Sequence, residues 1–341
     1  MNDPDFRTAE LGLGRSEALG RDVSAGLWDR REAVLEARLG GASLSLAALL
    51  EAEAVGDDAI ESAACVEARR WLAALRALRS APAAEPVLSP AHWRVAAAYL
   101  GDGDGTNRGN GPGSTRQFAG APVRTLWMQH GGLGAAARVA SGGPAASAFS
   151  ARLSRLAAHG LLHHAGLTVA AVAPLVAAAL LADGSADASV DSTAEARATA
   201  ESGNRVAAEG QAATGRRAAS RTAAWLGGVC RALEERHALS QRLRDWVAQD
   251  AGRVSRLPRC VASTRAVLEQ FQRTPVATIT TISHAAALCF PTTLRATQRL
   301  LDCGILREVT GRRSGRVFAY EAYLALLEPE GVATAEGEGR R

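Results

Sequence analysis

Between Ser24 and Arg79, apolar residues recur at three- and four-residue intervals through WDRREAVLEARL, SLSLAALLEAEA and IESAACVEARRWLAALRALR. That spacing puts apolar side chains on one face of a helix, so it predicts two or three helices, broken at Gly40 and Gly41 with Ser43 as the cap of the second. A Pro-rich connection (Ser80–Trp93), a short helical run HWRVAAAYL and a Gly/Asn/Asp loop (101–113) follow, and residues 114–143 carry no assignable pattern. Helical periodicity returns in FSARLSRLAAHGLLHHAGL and LTVAAVAPLVAAALLA, up to Ala182. Residues 183–220 are rich in Ala, Ser, Thr, Gly and Glu, with too few large apolar residues for a core, and read as a flexible insert. Residues 221–258 read as connecting helices, either one long helix or two broken at Gly227 and Gly228. Residues 1–23 are expected to be a flexible N-terminus and 328–341 a disordered tail.

From 259 to 327 the pattern changes. A helix TRAVLEQFQR, capped by Ser263 and stopped by Pro275, precedes an extended VATI. A short helix ISHAAAL, capped by Thr280 or Thr281, then turns at Cys289 and Phe290 into PTTLRATQRLLDC, which opens on Pro291 and ends at Gly304. At about 100° per residue, Thr293, Thr297, Leu300 and Leu301 of this last helix share one side, and Thr292, Arg295, Gln298, Arg299 and Asp302 the other. Two strand-like runs, ILREVT and RVFAY, flank GRRSG, a turn that carries Arg312 and Arg313 at its tip. This order predicts a winged helix-turn-helix with a small β-hairpin, whose second helix enters the major groove of DNA. The fold class expected for the whole chain is mainly α: a helical N-terminal and middle region (24–182) followed by this C-terminal unit.

Composition supports the helical expectation, because Ala dominates and aromatic residues make up only 4% of the 341 positions. All 39 basic residues are Arg, a bias expected first of a GC-rich bacterial genome. Without Lys there is no P-loop lysine, Schiff-base lysine or kinase-type phosphate lysine. The net charge of +4 is uninformative, but its distribution is not: from Arg253 to Arg316 there are eleven Arg against Glu269, Asp302 and Glu308. The five Cys (65, 230, 260, 289 and 303) form no CxxC pair and lie far from any His at metal-ligand spacing. They read as reduced core residues of a cytoplasmic protein. The segment MNDPDFRTAELG has no basic start or apolar run, and LTVAAVAPLVAAALLA is too short to span a bilayer, so neither export nor a membrane is expected.

The run LCFPTTLRATQRLLDCGILREVTGRRSGRVFAYEAYLALL (Leu288–Leu327) resembles the C-terminal winged helix that follows the catalytic domain in many bacterial Fic proteins. Fic proteins transfer AMP from ATP to hydroxyl side chains through an HxFxxGNGRxxR motif, whose His is the general base and whose Gly-Asn-Gly-Arg loop cradles phosphates and a metal. Here the corresponding stretch is PAASAFSARLSRL, in which Arg152 and Arg155 match. Pro144 stands for the His, Ala146 for the Phe, and Phe149, Ser150 and Ala151 for Gly-Asn-Gly. Proline has no base to accept a hydroxyl proton, and losing both glycines closes a loop that must bring its backbone to phosphate. The resemblance therefore implies a Fic-derived scaffold that has lost its catalytic motif. LEARLGGASLSLAALLEAEA is similar to the self-inhibitory segment of Fic proteins, with Leu39 where they carry Glu, and joined to a C-terminal helix-turn-helix it also resembles an uncharacterised rhizobial protein family.

Two other constellations fall short. Asp102 and Asp104 open a calcium-like loop, but Thr106, Asn107 and Gly113 fail the next ligand, turn and bidentate positions. His159 and His163 stand i,i+4 as zinc ligands do, without the HExxH glutamate or a third ligand. No metal, cofactor or catalytic residue is expected. The expected function is a DNA-binding transcriptional regulator whose partners are double-stranded DNA and a second copy in a homodimer. The expected DNA contacts are Thr280, Thr292, Arg295, Gln298, Arg299, Arg312, Arg313 and Arg316. The alternatives are an active Fic-type AMP transferase with an atypical motif, and a non-catalytic partner-binding protein of the toxin-antitoxin kind.

Overall fold

In the computed structural model the residues described are 7–13, 25–56, 62–79, 129, 133, 135–140, 151–165, 167, 174–176, 205–258 and 261–329. They are mainly helical, with one small three-stranded antiparallel sheet. The elements run α1 (Ala25–Leu39), α2 (Leu46–Val55), α3 (Ala63–Arg79), α4 (Ala151–His164), α5 (Arg205–Ser255), α6 (Val261–Arg273), β1 (Val276–Thr278), α7 (Ile279–Ala285), α8 (Phe290–Asp302), β2 (Arg307–Glu308), β3 (Val317–Ala319) and α9 (Glu321–Leu327). Among the described residues, no helix is long and apolar enough to cross a membrane.

The chain forms two compact units, one of residues 1–14, 74–169 and 173–234, the other of 15–73, 170–172 and 235–341. In the first, residues 7–13 are helical, and Ala9 and Leu13, one turn apart, are buried. A side chain at Gly12 would meet Leu233 at 3.0 Å, so this turn packs closely on α5. The N-terminus expected to be flexible thus contains a docked turn. The buried face of α4 includes Ser154, Leu156, Ala157, Ala158, His159, Leu161 and Leu162. His159 sits in this apolar face, and burial, then the Arg155 and Arg79 charges, push it down to about 3. The His163 ring nitrogen Nε2 lies 3.1 Å from the Arg79 carbonyl.

In the second unit α2 is capped by Ser45, whose hydroxyl accepts from the Ala48 N–H, and not by Ser43. The cap shifts because Leu44 is buried and its carbonyl accepts from Arg38 Nε, which fixes the chain ahead of the helix. The buried face of α2 is Leu46, Leu49 and Leu50. This helix packs on α1, β1, β3 and α9, so it covers the sheet. In that sheet β3 lies between β1 and β2, with Val276 opposite Ala319 and Arg307 also opposite Ala319. The guanidinium of Arg236, on α5, lies 4.4 Å from the Trp28 ring centroid, a cation–π contact with α1.

Two further boundaries differ from the sequence pattern. Helix α5 is continuous through Gly227 and Gly228 and begins at Arg205, inside the stretch expected to be an insert. Low complexity there argues only against a core; Ala, Arg, Gln and Glu remain good helix formers, and they extend a helix that is anchored further along. The tail expected from 328 is docked for two more residues. Glu328 pairs with Arg38 and accepts from the Leu46 N–H, and the Pro329 carbonyl accepts from Arg38.

Candidate nucleic-acid interface

Helices α6, α7 and α8 pack on one another, and β1 joins α6 to α7. The sequence of α6 buries Thr264, Val267, Leu268 and Phe271 on one stripe. Its first residue is Val261, so Ser263 lies within the helix rather than capping it. The cap of α7 is likewise displaced, from Thr280 or Thr281 to Thr278, whose hydroxyl accepts from the Thr281 N–H at 3.2 Å. Thr278 can cap because it ends β1 in extended backbone, whereas Thr280 is already helical, exposed in the first turn.

Helix α8 opens with Pro in its first turn and buries Thr293, Ala296, Thr297 and Leu300. The opposite side exposes Pro291, Leu294, Arg295, Gln298 and Asp302, with Thr292 and Arg299 half-buried at its margin. The two faces divide as the helical period predicts, except that Leu301 is only half-buried. The Gln298 amide donates to Asp302 at 3.0 Å, which leaves its carbonyl oxygen as an acceptor. Gly304 follows at φ 64°, a left-handed position that lets the chain leave the helix towards β2.

Cys289 departs from the core role expected of it: it is exposed just ahead of α8, where the chain has left the packed face of α7. Its sulfur lies 3.1 Å from the Thr292 hydroxyl, and this hydrogen bond, with the Thr292 N–H, pulls the thiol below its ordinary range. Of the other Cys, Cys65 is buried and Cys230 and Cys303 are half-buried; Cys260 lies outside the described residues.

The β2–β3 connection is longer, and its strands shorter, than the apolar runs suggest. Val309 N–H donates to the Val317 carbonyl and Val317 N–H to the Thr310 hydroxyl, which close the hairpin beyond β2. Gly311 and Gly315 both take left-handed backbone and bracket Arg312, Arg313 and Ser314, all exposed. Arg316 behaves differently from its neighbours. Its guanidinium pairs with Glu308 across the hairpin and lies 5.3 Å from the Phe318 ring centroid. The pair holds Glu308 below the usual carboxylate range and Arg316 above its own. Arg316 thus braces the hairpin, and the outward charge at its tip is that of Arg312 and Arg313.

A second brace ties this region to α5. The Tyr320 hydroxyl donates to the buried Asp250 carboxylate at 2.5 Å, and Arg253 pairs with the same carboxylate and donates to the Cys303 carbonyl. Nothing in the sequence pattern links Asp250 to Tyr320, which are 70 residues apart. Of the residues aligned with the Fic motif, Arg152 and Arg155 are half-buried on α4, while Pro144 and Ser150 lie outside the described residues. So do the calcium-like loop at 101–113 and the stretch 183–204. Among the described residues no group of three or more His, Cys, Asp and Glu could hold a metal ion. No family model matches the chain, and no curated protein matches it.

Proposed function

We propose that residues 259–327 form a winged helix-turn-helix that binds duplex DNA, with α8 as the reading helix and the loop 309–316 as the wing. The observation that carries this reading is the division of α8. Its buried seam is taken up by packing, while the opposite side presents Arg295, Gln298 and Arg299, side chains suited to base edges and phosphates. The exposed pair Arg312 and Arg313 at a hairpin tip supports it, since an exposed cationic tip suits phosphate contact. The excess of Arg over acidic residues between Arg253 and Arg316, eleven against three, supplies the electrostatic attraction.

On this reading the protein is a cytoplasmic transcriptional regulator, and its helical N-terminal and middle region is a Fic-derived scaffold used for dimerisation or sensing. It does not transfer AMP, because Pro144 stands where a general base is required. The test is anisotropy of labelled duplex titrated with the full-length protein at several salt concentrations. Log affinity is expected to fall with log salt by about 0.9 per phosphate contacted. A folded protein that leaves duplex unbound at low salt would sink the proposal.

A further inference from the structure

Two large apolar side chains stand exposed on the first turns of α8: Phe290 at 49% and Leu294 at 40% of their full accessibility. Among the described residues the only other exposed large hydrophobic is Leu11. They are four residues apart, so they share one edge of the helix. At about 100° per residue this edge lies beside Gln298, and Arg295 and then Arg299 follow around the outward face. The N-terminal half of α8 carries no acidic residue; its single acid, Asp302, is at the other end and is bonded to Gln298. An exposed apolar pair next to guanidinium groups is a mixed surface, and its occupant must offer apolar groups and acceptors side by side.

The major groove offers that combination. Guanine presents O6 and N7 as acceptors, and thymine presents the C5-methyl group, the one apolar feature on that edge of the base pairs. The N-terminal residues of a reading helix are those that approach base edges, which is where Phe290 and Leu294 stand. We infer that Phe290 and Leu294 are specificity-determining residues that contact thymine methyl groups in the major groove, beside a guanine bound by Arg295. The inference rests on the DNA-binding reading and adds to it the composition of the site: thymine next to guanine.

The test begins by selecting bound duplexes from a random pool with the full-length protein. Each thymine of the selected site is then replaced by deoxyuridine, which removes the methyl group and leaves every hydrogen-bonding atom in place. Burial of a methyl-sized group corresponds to about a fourfold change in affinity, so replacement at one or two positions is expected to weaken binding about fourfold each. Leu294→Ala or Phe290→Ala should each shrink the thymine–uracil difference at the position that side chain contacts, so that the variant loses more affinity on the thymine duplex than on the uracil duplex. Both side chains are exposed, so folding should survive, which circular dichroism checks. Sequence-specific binding that is indifferent to uracil would overturn the methyl contact while leaving DNA binding intact. Equal loss by the variants on both duplexes would overturn it as well. If no duplex is bound, the underlying reading fails. If Leu294→Ala instead releases a co-purifying protein, the apolar pair is a protein-docking edge and the inference is wrong.

Discussion

At the scale of single residues, identical side chains have different work. Arg316 is committed to Glu308 and the Phe318 ring, whereas Arg295, Arg312 and Arg313 are exposed and Arg299 is half-buried. On the proposed function, Arg295→Ala or Arg299→Ala should cost about 1–3 kcal/mol of discrimination at one or two base pairs. Arg312→Ala or Arg313→Ala should weaken all sequences alike and flatten the salt slope by about 1. Competition titrations against selected and scrambled duplex separate the two effects; a change of base preference confined to the hairpin variants would show that the reading element is misassigned. His159 gives a pH prediction that does not depend on DNA. Its folded value is pushed down to about 3 from 6.5, so the unfolded chain takes up the proton first. Its contribution to stability is then complete above about pH 6.5 and is lost progressively as pH falls towards 3, by at most about 1.4 kcal/mol per pH unit. Melting temperatures of the parent and of His159→Gln between pH 7 and 4 should diverge with that sign; parallel curves would contradict the burial.

At the scale of elements, the helical period located most of what packs. It separated Thr293, Thr297 and Leu300 from Arg295 and Gln298 on α8, because a continuous amphipathic stripe depends only on local geometry. The cap was misplaced by two residues at α2 and by two or three at α7, where several Ser or Thr stand close together and the neighbouring backbone decides which one stays extended, and Ser263 lies inside α6 rather than ahead of it. Arg38 shows what a local pattern cannot carry. Its side chain is only 3% exposed and is held by Glu328 and by the carbonyls of Leu44 and Pro329. Glu328→Ala removes the charged partner and the acceptor of the Leu46 N–H, at an expected cost of about 1–3 kcal/mol. Thermal denaturation of full-length parent and variant measures it, and an unchanged midpoint would show that the tail contributes nothing.

At the scale of the whole molecule, the boundary drawn at 259 does not coincide with the packed unit, which joins residues 15–73 to 235–341. Helix α2 covers β1 and β3 with Leu46, Leu49 and Leu50 buried, and each such side chain contributes about 1.5–3 kcal/mol. Domains are stable by only about 5–15 kcal/mol. A fragment from Arg253 onward should therefore lose most of its stability, and fusing residues 25–79 to it should restore much of the loss. Denaturant titrations of the two fragments decide this; equal midpoints would mean that α2 merely rests on the sheet.

The sequence by itself determined the mainly helical class, the order of α6 to α8 with the hairpin, and the two faces of α8. Each of these follows from spacing, turn residues and propensity over fewer than about 20 neighbouring positions. The tertiary structure alone decided that α2 covers the sheet, that Asp250 meets Tyr320, that Glu328 neutralises Arg38, and that Arg316 braces a hairpin while Arg312 and Arg313 point outward. Those pairings join residues far apart in the chain, or select one of several equivalent side chains by what packs against it, and neither leaves a periodic trace in the sequence.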